Sequence, residues 1–70
     1  MKTKVIRTPM TVNVAQEHED NINSWLQARV QYGATVKIQH LVQSQGEGGI
    51  TTTIFYEGIS DEEMYDLAAN

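Results

Sequence analysis

The sequence predicts an α+β fold in the order β-α-β-β-α, with a small three-stranded mixed sheet covered on one face by one long helix and followed by a short C-terminal helix. Three observations predict it. Apolar residues recur at three- and four-residue spacing between about residues 14 and 32, the period changes to two from Thr35, and a second helix-opening signal stands at Ser60. With no linker, repeat or low-complexity tract, the 70 residues read as a single domain, 1–70.

The elements follow in order. Lys2 to Thr8 is short and β-branched, and Pro9 cannot donate to a ladder, so this is a strand at or near a sheet edge. Thr11, Val12 and Val14 would also suit a continued strand, which leaves residues 10–14 open between strand and junction. Asn13 can then cap a helix, with Gln16 three residues later and Glu17, Glu19 and Asp20 near the positive end of its dipole. Ile22, Trp25, Leu26 and Val30 form its apolar face, and Gly33 stops it in left-handed geometry. In the next segment Val36, Ile38, His40 and Val42 share one parity and Lys37, Gln39, Leu41 and Gln43 the other. Ile50, Thr52, Ile54 and Tyr56 repeat the alternation, so two strands joined by Ser44 to Gly49 make a hairpin. Ser60 with Glu63 forms a capping box, flanked by Ile59 and Met64 as its staple, and opens a helix from Asp61 to about Ala68.

Composition excludes several function classes. There is no cysteine, hence no disulfide and no thiolate metal site. Nine acidic residues against five basic give a net charge of −4, the wrong sign for binding free nucleic acid by displacing counterions. No apolar run reaches the ~18 residues of a membrane span and no signal segment follows Met1, so the expected location is the cytoplasm. Lys2, Lys4 and Arg7 precede the first acid, while Glu57, Asp61, Glu62, Glu63 and Asp66 crowd the other end, an arrangement that would let opposite ends of two copies attract.

The stretch QSQGEGGITTTIFYE carries three glycines in four positions, yet it leads into a strand rather than a helix, no lysine follows, and Glu47 puts a negative charge in the loop. It is a turn, not a phosphate cradle. His18 lies between Glu17 and Glu19, but Ile22 stands where a zincin motif needs its second histidine, and neighbouring helix residues point apart. His18 therefore reads as a helix-start histidine and His40 as a half-buried strand histidine, with no metal ligands and no cofactor. Ser24, Ser44 and Ser60 have no evident base, so no catalytic residue is assigned and the chain is expected not to be an enzyme.

One stripe can recognise a ligand. Trp25, Arg29 and Tyr32 share a helix face, and an aromatic pair flanking a guanidinium can hold a ring by stacking and a phosphate by paired hydrogen bonds. The structural alternative packs Trp25 on the sheet with the Arg29 stem over it. Arg7 is either an edge-strand charge or a fourth ligand contact.

The segments KVIRT, EHEDNINSWL and VKIQHLVQSQGEGGITTTIFYE, within residues 2–57, resemble the very small sporulation-associated proteins of Firmicutes, similar versions of which occur on phages and mobile elements. His18-Glu19 and Trp25-Leu26 match that pattern, while PMTVN lengthens the junction between strand and helix. The resemblance implies a fold and no catalytic residues. A phage-like setting implies a non-enzymatic counter-defence protein that either grips a defence protein or sequesters a cyclic or nucleotide-derived signal between subunits.

Because a chain this short buries only ~60% of its unfolded surface, a homo-oligomer, dimer or higher, is expected. Its interfaces would form a pocket for a small anionic ligand lined by Arg7, Trp25, Arg29 and Tyr32. The alternative is a protein-interaction module that docks on a host protein through its sheet face or acidic C-terminal helix.

Overall fold

A computed structural model describes residues 1–69. The elements are β1 (Lys2–Pro9), α1 (Val14–Gln31), β2 (Val36–Gly46), β3 (Gly49–Gly58) and α2 (Asp61–Ala69), an α+β fold in the expected order. The strand option for residues 10–14 fails, since β1 ends at Pro9. Among the described residues no helix is long and apolar enough to cross a membrane.

The sheet order is β1-β3-β2, and both ladders are antiparallel. This corrects the expected mixed sheet. β1 and β2 do run in the same direction, but β3 lies between them and no parallel pair forms.

Cross-strand partners share a face, so the register sorts the side chains. Ile6 opposite Thr52, Thr8 opposite Ile50 and Lys4 opposite Ile54 lie on the helix side. Val5 opposite Thr53 and Thr3 opposite Phe55 lie on the other, which no helix covers. A bulge between Ile38 and His40 breaks the alternation of β2. Val36 and Ile38 stay with Leu41, Gln43 and Gln45 on the helix side, whereas His40 and Val42 turn to the open face. The parity grouping read from the sequence is thereby split, and His40 is exposed rather than half-buried, its ring 6.0 Å from that of Phe55.

The core consists of Ile6, Trp25, Ile54 and Tyr56, with Ile22, Leu26 and Val36 packed against it. Trp25 meets Tyr56 edge to face at 5.0 Å, a favoured aromatic geometry. α1 covers mainly β1 and β3. α2 lies on the same side as α1, with Met64 buried, so it leaves the second sheet face bare.

Local signals set the ends of these elements. α1 closes in a Schellman motif: Gly33, at φ 72°, donates to Val30 O, and Ala34 donates to Arg29 O at 2.8 Å. Its N-terminus differs from expectation, because the Asn13 side chain makes no capping bond; Gln16 instead donates to Asp20 at 3.0 Å. The capping box of α2 is complete, with Glu63 N–H donating to Ser60 Oγ at 3.1 Å and Ser60 N–H to Glu63 Oε1 at 3.2 Å. The hairpin is tighter than the loop expected from Ser44 to Gly49, with only Glu47 and Gly48 between the strands.

The segregated charges meet within one chain. Lys2 pairs with Glu63 at 3.3 Å, Lys4 with Asp61 at 2.7 Å, and the N-terminal ammonium with Glu57 at 3.4 Å. Lys2 Nζ also donates to Gly58 O. Lys2 and Lys4 thus each have an acidic partner within their own chain.

Candidate functional site

A cleft of about 350 Å³ lies between α1 and α2. Helical spacing puts Trp25, Ala28, Arg29 and Tyr32 along its α1 wall, and Met64, Tyr65 and Ala68 along its α2 wall. Lys4 reaches it from β1, because even-numbered residues of that strand face the helices. Three of the four residues singled out from the sequence therefore share one cleft. Arg7 does not join them: it pairs with Thr51 on the open sheet face.

Asp61, the first residue of α2, organises the site. One carboxylate oxygen accepts from Trp25 Nε1 and from Arg29 Nη2, both at 2.7 Å, and the other accepts from Lys4 Nζ at 2.7 Å. Partial burial pushes the Asp61 pKa up, but hydrogen bonds from Lys4, Arg29 and Trp25 outweigh it and hold the group down at about 2.

Arg29 is only 2% exposed. Its guanidinium lies 3.9 Å from the centroid of the Trp25 ring, Nη1 donates to Trp25 O at 3.2 Å, and Nη2 donates to Ile59 O at 3.3 Å as well as to Asp61. Most of this side chain thus follows the structural alternative, a stem laid over Trp25. Its Nε–H is different, being buried with no hydrogen-bond partner. A buried charged donor left without an acceptor costs about 1–3 kcal/mol.

Lys4 and Arg29 against Asp61 give the lining one net positive charge, although the chain as a whole is acidic. Tyr32 and Tyr65 are exposed, offering ring faces on opposite helices. Lys4, Asp61 and Tyr65 were not identified from the sequence. The capping box placed Asp61 at the helix start, where a carboxylate suits the dipole, but nothing local pointed to Arg29 as its partner.

His18 also departs from expectation. It is buried beneath α1, with Nδ1 2.7 Å from Thr8 Oγ1 and Nε2 2.6 Å from Thr52 Oγ1. Thr52 donates to Gln43 Oε1 at 3.3 Å, which suits His18 Nε2–H donating to Thr52; a neutral ring then accepts at Nδ1 from Thr8. Asn21 Nδ2 completes the chain by donating to Thr8 at 2.9 Å. Both ring nitrogens are committed to structure. Among the described residues no group of three or more His, Cys, Asp or Glu could hold a metal ion.

No protein-family model matches the chain, and neither a curated protein nor a solved structure matches it.

Proposed function

We propose that the chain is a non-enzymatic binding protein whose α1–α2 cleft takes a small, flat anionic ligand of the nucleotide type. The observation that carries this reading is a net-cationic cleft between α1 and α2 that Lys4 enters and whose walls bear the exposed rings of Tyr32 and Tyr65. The exposed rings of Tyr32 and Tyr65 are surfaces for a ligand ring to stack on, and Lys4 draws an anionic group. The volume of about 350 Å³ is at the small end of ligand pockets, which span ~300–1,000 Å³, and suits one mononucleotide-sized unit per cleft. Sequestering a nucleotide-derived signal, the role implied by the counter-defence setting, is the use we infer.

Titration calorimetry and thermal shift against a panel of mononucleotides and cyclic nucleotides test the proposal. Binding is expected to weaken at least tenfold in Tyr32→Ala and Tyr65→Ala, each of which removes an exposed ring and leaves the fold intact. A panel that neither binds nor raises the melting temperature removes the proposal. So does binding that both alanine variants retain in full.

A further inference from the structure

We infer that β2 is a pairing edge through which two copies of the chain join, antiparallel about a two-fold axis, into one six-stranded sheet. Both β1 and β2 are edges of the three-stranded sheet, but β2 is guarded only near its start, by Lys37 and the bulge between Ile38 and His40, and not beyond it. β1 carries Lys2, Lys4, Arg7 and Pro9 in eight residues, the devices that stop an edge from recruiting another strand. β2 is eleven residues long, and from Ile38 to Gly46 it has no Asp, Glu, Lys, Arg or Pro. Every second residue of such an edge turns its N–H and C=O outward, where only water or another strand can satisfy them.

The side chains agree with the backbone. Leu41 on the helix side is 50% exposed and Val42 on the open side 48%, so apolar groups flank this edge on both faces. The molecule also shows more surface than its size requires. It exposes 4872 Å², about a tenth above the ~4,400 Å² that scaling gives for its mass, and its radius of gyration is 12.9 Å against an expected ~11 Å. β2 contributes to that surface, since every residue of it after Val36 is exposed.

The occupant is a second copy because the segment is uncharged. A strongly acidic or basic strand would find no opposite charge on it, whereas an identical strand meets it with matching apolar groups, and a two-fold makes one patch complementary to itself. That axis stands perpendicular to the sheet, so both α1 helices fall on the same face. The cleft of about 300 Å³ beside β2, lined by Glu19, Ile22, Asn23, Gln43, Gln45 and Ile50, then becomes half of a continuous groove between two α1 helices.

β2 contributes nothing to the α1–α2 cleft, so this inference and the proposed ligand site fail separately. Sedimentation velocity across a wide range of concentration tests it. The expected species has twice the 7.9 kDa mass of the chain, and hydrogen exchange is expected to protect the outward amides of β2. Leu41→Lys and Val42→Lys alter exposed positions on opposite faces, and each acts twice by symmetry. Each is expected to raise the dimer dissociation constant about tenfold or more, with unchanged circular dichroism. Val5→Lys, on the open face of the far strand β1, is expected to leave the dimer intact. A lone chain at every concentration overturns the inference, as does a dimer that tolerates both β2 variants. Loss of the dimer in Val5→Lys alone would mean stacking of sheet faces, and uptake of an added extended peptide along β2 by a monomer would mean a foreign strand; either result also overturns it.

Discussion

Asp61 shows how one side chain can hold three elements together. Its carboxylate joins β1 through Lys4, α1 through Trp25 and Arg29, and α2 by its own position. Arg29 is the buried partner, so removing the charge of Asp61 strands a cation that water cannot reach. Asp61→Asn is expected to cost about 1–3 kcal/mol, below the usual value for a broken buried pair because half of the Asp61 side chain is solvated, and to lower the melting temperature by roughly 10 °C. Lys4→Met, which breaks only the more exposed pair, is expected to cost less than about 1 kcal/mol; chemical denaturation of both variants checks the order. The same residue sets a pH dependence. Its folded pKa of about 2 lies below its ordinary 3.8, so the stabilisation is fully present above that ordinary value and is lost as the pH falls through it toward about 2. Glu63, held below its ordinary value by the Ser60 backbone N–H, acts in the same direction. Urea midpoints are expected to fall steeply on acidification through this window, and less steeply in Asp61→Asn. Arg29 and Trp25 were legible in the sequence as a stripe, and their packing, Trp25 on the sheet with the Arg29 stem over it, was legible as its structural reading, but the partner of the Arg29 charge was not, because Asp61 lies thirty-two positions further on.

At the scale of the elements, caps and turns explain what the sequence disclosed and what it withheld. Ser60-Glu63 and Gly33 were legible because each works through bonds to residues nearby. The glycine-rich turn was legible as a turn, but the separate tasks of its glycines depend on β1. A Cβ on Gly49, at φ 125°, would collide with the carbonyl oxygen of Thr8, whereas one on Gly48 would meet nothing. Gly49→Ala is therefore expected to cost more than about 2 kcal/mol and to loosen the β1–β3 ladder at Pro9, while Gly48→Ala stays within about 0.5 kcal/mol. Equal unfolding midpoints for the two would contradict the close approach. The bulge in β2 was hidden for a related reason. Residues 36–42 read as unbroken alternation, and only pairing with β3 shows that Gln39 is extra, sending His40 and Val42 to the opposite face from Ile38.

The whole molecule rests on a small core and on the attachment of its last helix. Six apolar residues are buried among those described, Met64 of α2 included, which is consistent with a stability of a few kcal/mol. A chain ending at Gly58 would lose Asp61 and the Ile59 carbonyl, the acceptors that hold Arg29 Nη2 and the Trp25 indole. It is expected to lose cooperative thermal unfolding, read as a broad melt in near-ultraviolet circular dichroism; a sharp transition at the full-length temperature would show that α2 is dispensable. The element order was legible from periodicity alone, but the placement of β3 between β1 and β2 was not, since adjacency in a sheet is settled by contacts remote in the chain. That placement affects biosynthesis. Lys2 pairs with Tyr56 and Pro9 with Gly49, so β1 waits for a strand translated after α1 and β2, while β2 and β3 need only their own turn to zip together. On the ribosome β1 stays unpaired until β3 begins to emerge at Gly49, and stitching it in as far as Tyr56 completes the sheet.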